Sequence, residues 1–447
     1  MVSEEHQYRT KPDRRRVLGT IGAGLATVLA GRADGVTSDD EPIVTHPETV
    51  PVDEPFTLEI AGLPEGTTVE VTATADDARD VTWSATATYD ASDGTVDLDE
   101  DAPTEGPYET AETMRLIQHM HPEDGGGLPY VPPPEERLSI DVTADGDAVG
   151  STAITRPFGD PAVTATDLEP PNLVGEVFEP PGSVPAPGVV VLHGSEGEPR
   201  TGMARLLASH GFIAVALQYF GAAGLPSELV EVPVELVDEA ATWLLQRDRV
   251  DGSRIGLIGA SKGGELALLA GSRFESIGAV VGISASGVAW AGVSMTEPSA
   301  DSSWTVDGEP VPYVPYTDDP TVWDREPPLE FEPAYAASLE AASADRIEEA
   351  TIPVEEIDGP VLLVSGGADR LWNAVELSSI AIDRLEAHDH PHEHLVFDEA
   401  GHAIQYPYLP TANRAEVPPF VLGGTPAGYA EADAAYWPRA LETLRRA

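Results

Sequence analysis

The segment Gly259-Ala-Ser-Lys-Gly263 places a serine between two glycines at a spacing that suits nucleophilic chemistry. The apolar run from Ile255 to Ile258 predicts a buried strand before this segment, and the residues from Glu265 to Ala270 predict a helix after it. The chain must therefore turn sharply at Ser261, where flanking glycines avoid a clash between strand and helix. Such a nucleophile elbow presents a serine hydroxyl to a base. The alternative is an inert serine in a glycine-rich loop.

Much further along the chain, an aspartate and a histidine match the acid and the base that a serine nucleophile requires. The apolar run from Val361 to Val364 predicts a buried strand that Asp369 follows, and the short strand from His394 to Phe397 is followed by His402. Side chains after parallel strands meet at one edge of the sheet. We therefore predict that His402 takes the proton of Ser261 and that Asp369 orients the imidazole.

Acyl transfer through a serine also requires two N–H donors for the oxyanion of the tetrahedral intermediate. The backbone of Lys262, directly after the nucleophile, is the first predicted donor. The second is expected from the turn after the strand that begins at Val189, where Ser195 and Glu196 are the choices. His193, in the same turn, is interpreted as a structural residue rather than as a second base.

Other ionisable residues leave alternatives open. Asp398 and Glu399 lie close to His402 in sequence and are alternatives to Asp369 as the acid. Four histidines at every second position suggest a metal site, but the acidic and proline residues between them favour an exposed connection before the last strand. These are His388, His390, His392 and His394. No metal and no cofactor are predicted.

The elements around these residues alternate between strand and helix from about Thr164 onwards. Helical patterns cover 203–209 and 234–245, and continuous apolar runs between them predict parallel strands buried on both faces. These runs are Val189–Leu192, Ile213–Leu217, Ile255–Ile258, Ile277–Ile283 and Val361–Val364. Because the candidate residues occur in the order Ser, Asp, His, this doubly wound α/β sheet fits the α/β-hydrolase fold, which we assign to residues 161–447.

Residues 289–351 interrupt this alternation. The segment is rich in proline and carries Trp304 and Trp323. It is too long for a connecting loop, so we interpret it as a lid that contributes to a substrate cleft at the strand ends. A disordered insert is the alternative.

Residues 39–160 show a different period, with apolar and polar residues alternating one by one. Turn sequences such as Leu63-Pro-Glu-Gly66 separate the alternating runs, and an antiparallel, immunoglobulin-like β-sandwich is expected. The short apolar segment from Met114 to Met120 is expected to cross toward the second domain. His119 and His121 are interpreted as packing or surface residues rather than ligands. The alternating runs are Phe56–Ile60, Thr68–Thr74, Val81–Tyr89 and Leu138–Thr143.

Composition restricts the partners of this chain. Its 447 residues include 77 acidic residues against 25 Lys plus Arg, for a net charge of −52. Such a surface repels nucleic acid and anionic lipid, and it suits molar salt, which screens the repulsion between carboxylates.

Lysine occurs only at Lys11 and Lys262, so the lysine beside the nucleophile either attracts an anion or is an ordinary surface residue. The absence of cysteine excludes disulfides and thiolate chemistry.

The amino terminus carries a predicted export signal within residues 1–38. Arginines at positions 14, 15 and 16 precede the apolar run from Val17 to Ala30, which is too short to span a bilayer comfortably. The pattern is similar to a twin-arginine signal, whose cargo crosses the membrane folded. An exported or cell-surface protein is expected, without stable membrane insertion beyond the signal. A basic arm on a cytoplasmic protein is the alternative.

Taken together, the ordered motifs resemble the family of acyl-CoA thioesterases and bile-acid-CoA:amino-acid N-acyltransferases. The resemblance covers nearly everything after the signal segment. It rests on Tyr89 with Gly94–Leu98, Met114–Pro122, Leu192–Gly197, Ala216–Phe220 with Leu225-Pro226, Ile258–Leu266, Ile352–Glu355, Gly359–Leu363 with Asp369 and Trp372, and Ala400–His402.

The resemblance implies a β-sandwich followed by an α/β-hydrolase domain, with Ser261, Asp369 and His402 at the family's nucleophile, acid and base. It also implies that cysteine serves as nucleophile in members that acylate amino acids. The serine in this chain therefore favours water as the acceptor and a hydrolase acting on a small acyl thioester or ester. An amino-acid N-acyltransferase and a secreted binding protein without catalysis are the alternative functions.

Overall fold

The computed structural model describes residues 25–28, 42–294, 300–323 and 326–447. Apart from the strand Leu25–Val28, the predicted export signal lies outside these residues. The first part of the chain contains the helix α1 (Thr113–Gln118) and nine strands among the described residues. The strands are β1 (Leu25–Val28), β2 (Ile43–Pro47), β3 (Glu59–Ala61), β4 (Thr67–Asp76), β5 (Thr82–Ala91), β6 (Thr95–Asp97), β7 (His121–Pro122), β8 (Glu135–Ala144) and β9 (Asp147–Pro157).

These strands form two antiparallel sheets, with the orders β1-β2-β3-β6 and β7-β5-β4-β8-β9. Along β4, buried and more exposed residues alternate, because neighbouring side chains of a strand point to opposite faces. Inward residues of both sheets, such as Ile60 and Val71, belong to one hydrophobic core. The predicted antiparallel β-sandwich is confirmed. The sequence patterns missed β9, whose first half combines small and polar residues with little burial.

The second part of the chain contains longer helices and a larger sheet. Its strands are β10 (Thr164–Asp167), β11 (Val174–Glu179), β12 (Ala186–Leu192), β13 (Ile213–Gln218), β14 (Val232–Pro233), β15 (Val250–Ala260), β16 (Ile277–Ile283), β17 (Trp304–Val306), β18 (Glu309–Pro310), β19 (Val361–Gly366), β20 (His392–Phe397), β21 (Glu416–Val417) and β22 (Phe420–Val421). Its α-helices are α2 (Thr201–Ser209), α3 (Glu235–Leu245), α4 (Lys262–Gly271), α5 (Pro320–Trp323), α6 (Glu332–Ala341), α7 (Ala344–Ala350), α8 (Ala374–Ala387) and α9 (Pro426–Leu444), and a 3-10 turn covers Val354–Glu356.

Eight of these strands form one sheet in the order β10-β11-β13-β12-β15-β16-β19-β20. The first three neighbours pair antiparallel and the remaining strands pair parallel. Val189 and Val191 of β12 face the core that includes α2 and α9, whereas Val190 and Leu192 face the core that includes α3, α4 and α8. Helices thus cover both faces of a mostly parallel sheet, and the predicted α/β-hydrolase fold is confirmed.

The segment 289–351 contributes buried side chains to the hydrolase domain. Its strand β17 pairs with β14, which precedes α3, and with β18. Trp290 and Trp304 are fully buried, and Trp290 shares a small core with Trp372 and Val314. The described residues of this segment are therefore packed on the hydrolase domain, unlike a disordered insert.

The two parts of the chain contact each other directly. The side-chain amide of Gln118 in α1 donates to the carbonyl of Ala430 in α9 over 3.2 Å, as expected for a segment that crosses to the second domain. The buried guanidinium of Arg156 donates to the carbonyl of Tyr408 over 2.8 Å. In the described part of the chain, no helix combines the length and apolar character needed to cross a membrane.

Candidate active site

Ser261 lies in a strained backbone conformation between β15 and α4, with φ of 56° and ψ of −124°. The turn is closed by glycine, because a Cβ on Gly259 would lie 2.1 Å from the carbonyl oxygen of Gly263. A Cβ on Gly263 would lie 2.2 Å from the carbonyl oxygen of His193 in the neighbouring turn. The local geometry is that of the sharp strand-to-helix turn that the sequence predicts, and strain of this kind is concentrated at functional sites.

Asp369 and His402 meet at the end of the sheet, after β19 and β20 respectively. The imidazole Nδ1 lies 2.7 Å from Oδ2 of the carboxylate, and both side chains are largely buried. The other carboxylate oxygen accepts the backbone N–H groups of Leu371 at 2.8 Å and Trp372 at 3.2 Å. With three hydrogen bonds the carboxylate is held in place, and the imidazole is oriented through its Nδ1 atom.

The backbones of Ser261 and His402 are connected through the end of β16. The N–H of Ser261 donates to the carbonyl of Ile283 over 2.8 Å, and the hydroxyl of the next residue, Ser284, donates to the carbonyl of His402 over 3.1 Å. The indole N–H of Trp372 donates to the carbonyl of Ser284 over 3.0 Å. The nucleophile, base and acid candidates therefore lie at the same edge of the sheet. Sequence reasoning missed Ser284, although a polar residue directly after a buried strand is a usable signal.

The turn after β12 faces the serine, and it contains the two choices for the second oxyanion donor. A Cβ on Gly194 would lie 3.3 Å from Cβ of Ser261. Ser195 and Glu196 are exposed, and the carboxylate of Glu196 pairs with Arg200 over 3.1 Å. The first candidate donor, the backbone of Lys262, opens α4, where the helix dipole favours negative charge.

The burial of the Lys262 side chain contradicts both expectations from the sequence, which were an anion-attracting group and an ordinary surface residue. The side chain is buried, and its Nζ atom donates to both carboxylate oxygens of Glu265 over 2.8 Å. The lysine is therefore neither an exposed attractor of anions nor a surface residue. Burial lowers the pKa of Lys262 and raises the pKa of Glu265, and the attraction between the two charges opposes both shifts. Sequence reasoning missed Glu265, although a glutamate three residues after a lysine in a helix predicts a pair.

The ring of His193 makes contacts within its own turn and with a neighbouring aromatic ring. The ring is buried, stacks on Tyr219 with centroids 3.9 Å apart, and places Nδ1 2.7 Å from the carbonyl oxygen of Gly194. Burial lowers its pKa, which favours the neutral imidazole. These contacts are those of a structural residue in the turn.

Of the four histidines at alternate positions, His388 and His390 precede β20 as expected, but the strand begins at His392, two residues earlier than predicted. His392 and His394 belong to β20, and Nε2 of His394 lies 2.9 Å from the hydroxyl of Ser365. Burial lowers the pKa of His394 to about 4. Within the described ranges, no group of three or more His, Asp or Glu side chains is arranged to hold a metal ion.

The two alternative acids lie at the protein surface, unlike the buried Asp369. Asp398 and Glu399 are both exposed, and Glu399 accepts a hydrogen bond from the hydroxyl of Thr425 over 3.4 Å. The hydrogen bond of the His402 ring is made with Asp369.

Two family models match the chain. The model described as the acyl-CoA thioester hydrolase/BAAT N-terminal region matches residues 53–170, which include most of the β-sandwich. The model described as the BAAT/acyl-CoA thioester hydrolase C terminal matches residues 232–447, which include Ser261, Asp369 and His402.

Relatives from mouse match along most of their length. The chain is 27% identical to acyl-coenzyme A amino acid N-acyltransferase 1 of Mus musculus, over 90% of this chain and 97% of the relative. It is 29% identical to acyl-coenzyme A thioesterase 6 of Mus musculus, over 80% of this chain and 84% of the relative. The acylaminoacyl peptidase of Pyrococcus horikoshii is similar with a TM-score of 0.41 and 10% identity, covering 91% of this chain and 88% of that one.

Proposed function

Because the chain belongs to the acyl-CoA thioester hydrolase/BAAT family, we propose that it is a serine hydrolase that cleaves acyl thioesters or related esters through an acyl-enzyme. Its similarity to acyl-CoA thioesterases supports an enzyme that acts on acyl-CoA or a related substrate. The substrate is a small molecule, and no cofactor takes part.

In the acylation step, Oγ of Ser261 attacks the carbonyl carbon of the thioester while Nε2 of His402 takes the hydroxyl proton. The negative charge on the former carbonyl oxygen is stabilised by the backbone N–H of Lys262 and by an N–H from Ser195 or Glu196. Collapse of this intermediate breaks the carbon–sulfur bond. The thiol leaves with the proton from His402, and the acyl group stays on Ser261 as an ester.

In the deacylation step, a water molecule gives a proton to His402 and attacks the ester carbonyl. The second tetrahedral intermediate uses the same N–H donors and releases the carboxylic acid. The proton returns from His402 to Oγ of Ser261. Asp369 keeps its charge throughout and stabilises the imidazolium that forms twice in each cycle.

One observation carries this proposal: the 2.7 Å contact between Nδ1 of His402 and Asp369, at the same sheet edge as Ser261. A carboxylate on Nδ1 keeps the proton on that atom and leaves Nε2 free to accept one from a serine. The positive φ of Ser261 supports the same conclusion, because such a conformation costs free energy and is concentrated at functional sites.

The experiment is a rapid-mixing assay with an acyl-CoA or a nitrophenyl ester. We expect a burst of released thiol or nitrophenol equal to the enzyme concentration, and we expect no burst in Ser261→Ala. A fluorophosphonate should label the wild-type protein and leave Ser261→Ala unlabelled. Equal turnover by Ser261→Ala and wild type would refute the serine mechanism.

A second candidate function is transfer of the acyl group to an amine, which the similarity to an amino acid N-acyltransferase favours. The acyl-enzyme would then be attacked by an amine nitrogen in place of water, with His402 taking its proton. Adding glycine or taurine should divert product from the free acid to the amide if this function is correct. Unchanged production of free acid at all amine concentrations would reject it.

We also propose export through residues 14–30, in which three arginines precede an apolar run, from the sequence pattern alone. Replacing Arg14, Arg15 and Arg16 by Gln should retain the protein in the cytoplasm, whereas the unaltered chain should accumulate outside the membrane. The measurement is the distribution of the protein between the cytoplasmic fraction and the combined cell-surface and medium fractions. Equal distributions would reject the export signal in favour of a cytoplasmic protein.

A further inference from the structure

The ion pair between Lys262 and Glu265 occupies the first turn of α4, directly behind the nucleophile candidate. Both Lys262–Glu265 hydrogen bonds are 2.8 Å long, and the two side chains are at most 2% exposed. The carboxylate oxygen Oε1 of Glu265 accepts two more hydrogen bonds, from the indole N–H of Trp304 at 2.6 Å and from the backbone N–H of Trp290 at 3.1 Å. Glu265 thus accepts four hydrogen bonds, two of which come from the Lys262 ammonium, and the pair is shielded from solvent.

The same pair connects two parts of the chain. Ser261 is bonded to this turn through its carbonyl oxygen, which accepts the backbone N–H groups of Gly264 at 2.9 Å and Glu265 at 3.1 Å. Trp290 and Trp304 belong to the segment that interrupts the hydrolase sheet. The Nζ atom of Lys262 lies over the ring of Trp304, 5.3 Å from its centroid. The interrupting segment therefore contacts the elbow through the side chains of Lys262 and Glu265.

Stability alone does not account for this arrangement. Replacing a buried ion pair by apolar or neutral residues of similar volume is often neutral or stabilising, because both charges lose their hydration on burial. The chain has lysine at one other position only, Lys11. A positioning role accounts for a buried lysine here. The contact of Lys262 with both carboxylate oxygens of Glu265 fixes the direction of the lysine side chain and of the backbone that carries it.

We propose that Glu265 and the side chain of Lys262 are positioning residues, which fix the first turn of α4 so that the backbone N–H of Lys262 points at the reacting carbonyl oxygen. Trp290 and Trp304 donate hydrogen bonds to the carboxylate of Glu265. Through this contact, the interrupting segment helps to position the backbone N–H of Lys262. This inference rests on the proposed function, because it assigns a support to that oxyanion site.

The test compares a ligand that forms an oxyanion with one that does not. An alkyl trifluoromethyl ketone forms a tetrahedral adduct with the serine, whereas an S-alkyl-CoA thioether has a methylene group in place of the reacting thioester carbonyl. In Glu265→Gln we expect the ketone to bind about tenfold to a hundredfold more weakly, because a small displacement of a catalytic group has effects of this size. We expect the affinity for the thioether to change less than threefold. A purely structural role would weaken both ligands together.

The chain offers a matched control on α7, where Arg346 and Glu349 form an exposed pair with the same spacing, 3.6 Å apart. Glu349→Gln should leave both affinities unchanged. Because the Lys262–Glu265 pair is shielded from solvent, the effect of Glu265→Gln should also be the same in low and in molar KCl.

Glu265→Gln leaves the buried ammonium of Lys262 without a charged partner. If this variant fails to fold for that reason, the double variant Lys262→Met with Glu265→Gln is used in its place. The double variant carries no charge at positions 262 and 265, and its glutamine oxygen can still accept from the indole N–H of Trp304. The inference predicts weakened ketone binding in the folded double variant, and wild-type binding in either folded variant overturns it. If the ketone binds Ser261→Ala as tightly as it binds wild type, the proposed function itself is wrong.

Discussion

The Nδ1 atom of His402 lies 2.7 Å from Oδ2 of Asp369, although 33 positions separate the two residues in the chain. This contact leads to the first prediction. Asp369→Asn should lower kcat about 10³- to 10⁴-fold, because the amide stabilises neither the imidazolium nor the required tautomer. The asparagine oxygen can still accept the N–H of Leu371, so the fold should be retained. The measurement is kcat with an acyl thioester, together with the circular dichroism spectrum.

Asp398, an exposed aspartate close to His402 in the sequence, is the control for this substitution. Asp398→Asn should retain kcat within twofold. Full activity in Asp369→Asn, or a large loss in Asp398→Asn, would transfer the role of the acid to another residue.

The second prediction concerns backbone strain at Ser261, whose φ is 56°. Ser261→Gly and Ser261→Ala should both be inactive, but the glycine variant should be about 1 kcal/mol more stable than the alanine variant. Glycine relieves a strain of about 1–3 kcal/mol at positive φ and loses part of that gain to backbone entropy. Urea unfolding gives the difference directly and adds no salt.

At Ser272, which follows α4 with φ of −75°, the order should reverse, so that Ser272→Gly is less stable than Ser272→Ala. The strain assignment is wrong if alanine is the more stabilising substitution at position 261 as well.

The third prediction concerns the close approach of the elbow to the turn after β12. Gly263→Ala should lower the free energy of unfolding by about 1–3 kcal/mol or more and abolish activity, because the added Cβ would lie 2.2 Å from the carbonyl oxygen of His193. A Cβ added at Gly127 would meet no atom of the described residues within 4 Å, so Gly127→Ala should be tolerated. Urea unfolding and kcat are measured for both. Wild-type activity in Gly263→Ala would contradict the packing of these two turns.

The fourth prediction concerns His394, whose pKa burial lowers to about 4. The unfolded chain binds a proton at this histidine below about pH 6.5, whereas the folded protein does so only below about pH 4. Folded stability is therefore lost as the pH falls through this window, by up to about 3 kcal/mol for this residue. In His394→Gln the glutamine carries no titrating group, so this loss should disappear.

The measurement is urea unfolding at pH 6.5 and pH 4.5 for wild type and variant. Comparing the two proteins cancels the titration of the many carboxylates. His388 is exposed, and His388→Gln should keep the wild-type pH dependence. A pH dependence unchanged by His394→Gln would show that the ring is accessible to protons in the folded state.

The fifth prediction follows from the net charge of −52. Raising KCl from 0.1 to 2 M should raise Tm, because the screening length falls from about 10 Å to below about 3 Å and reduces the repulsion between surface carboxylates. Sucrose at equal osmolality is the control for effects that do not depend on charge. An unchanged or lower Tm in KCl would contradict a surface adapted to salt.

Much of the fold could be predicted because its signals are local. The run Ile277–Ile283 is the strand β16 in the structure with the same bounds, since a continuous apolar stretch can be buried only between two layers. The elbow was predictable for a similar reason, because glycine tolerates the contacts that a strand-to-helix turn imposes. Strands such as β10 and β11 were missed, since β10 is exposed and carries no apolar pattern.

The sequence by itself determined the order of the elements, the residues that follow each strand, and therefore which side chains could meet at the edge of a parallel sheet. Only the tertiary structure decided the surroundings of those side chains. Lys262 is charged, and charge alone predicts exposure, but the packing of Trp290 and Trp304 around Glu265 provides partners that make its burial possible. Ser284 likewise contacts His402 only after β19 has paired with both β16 and β20. Such partners come from residues far apart in the chain, and periodicity along the sequence carries no information about them.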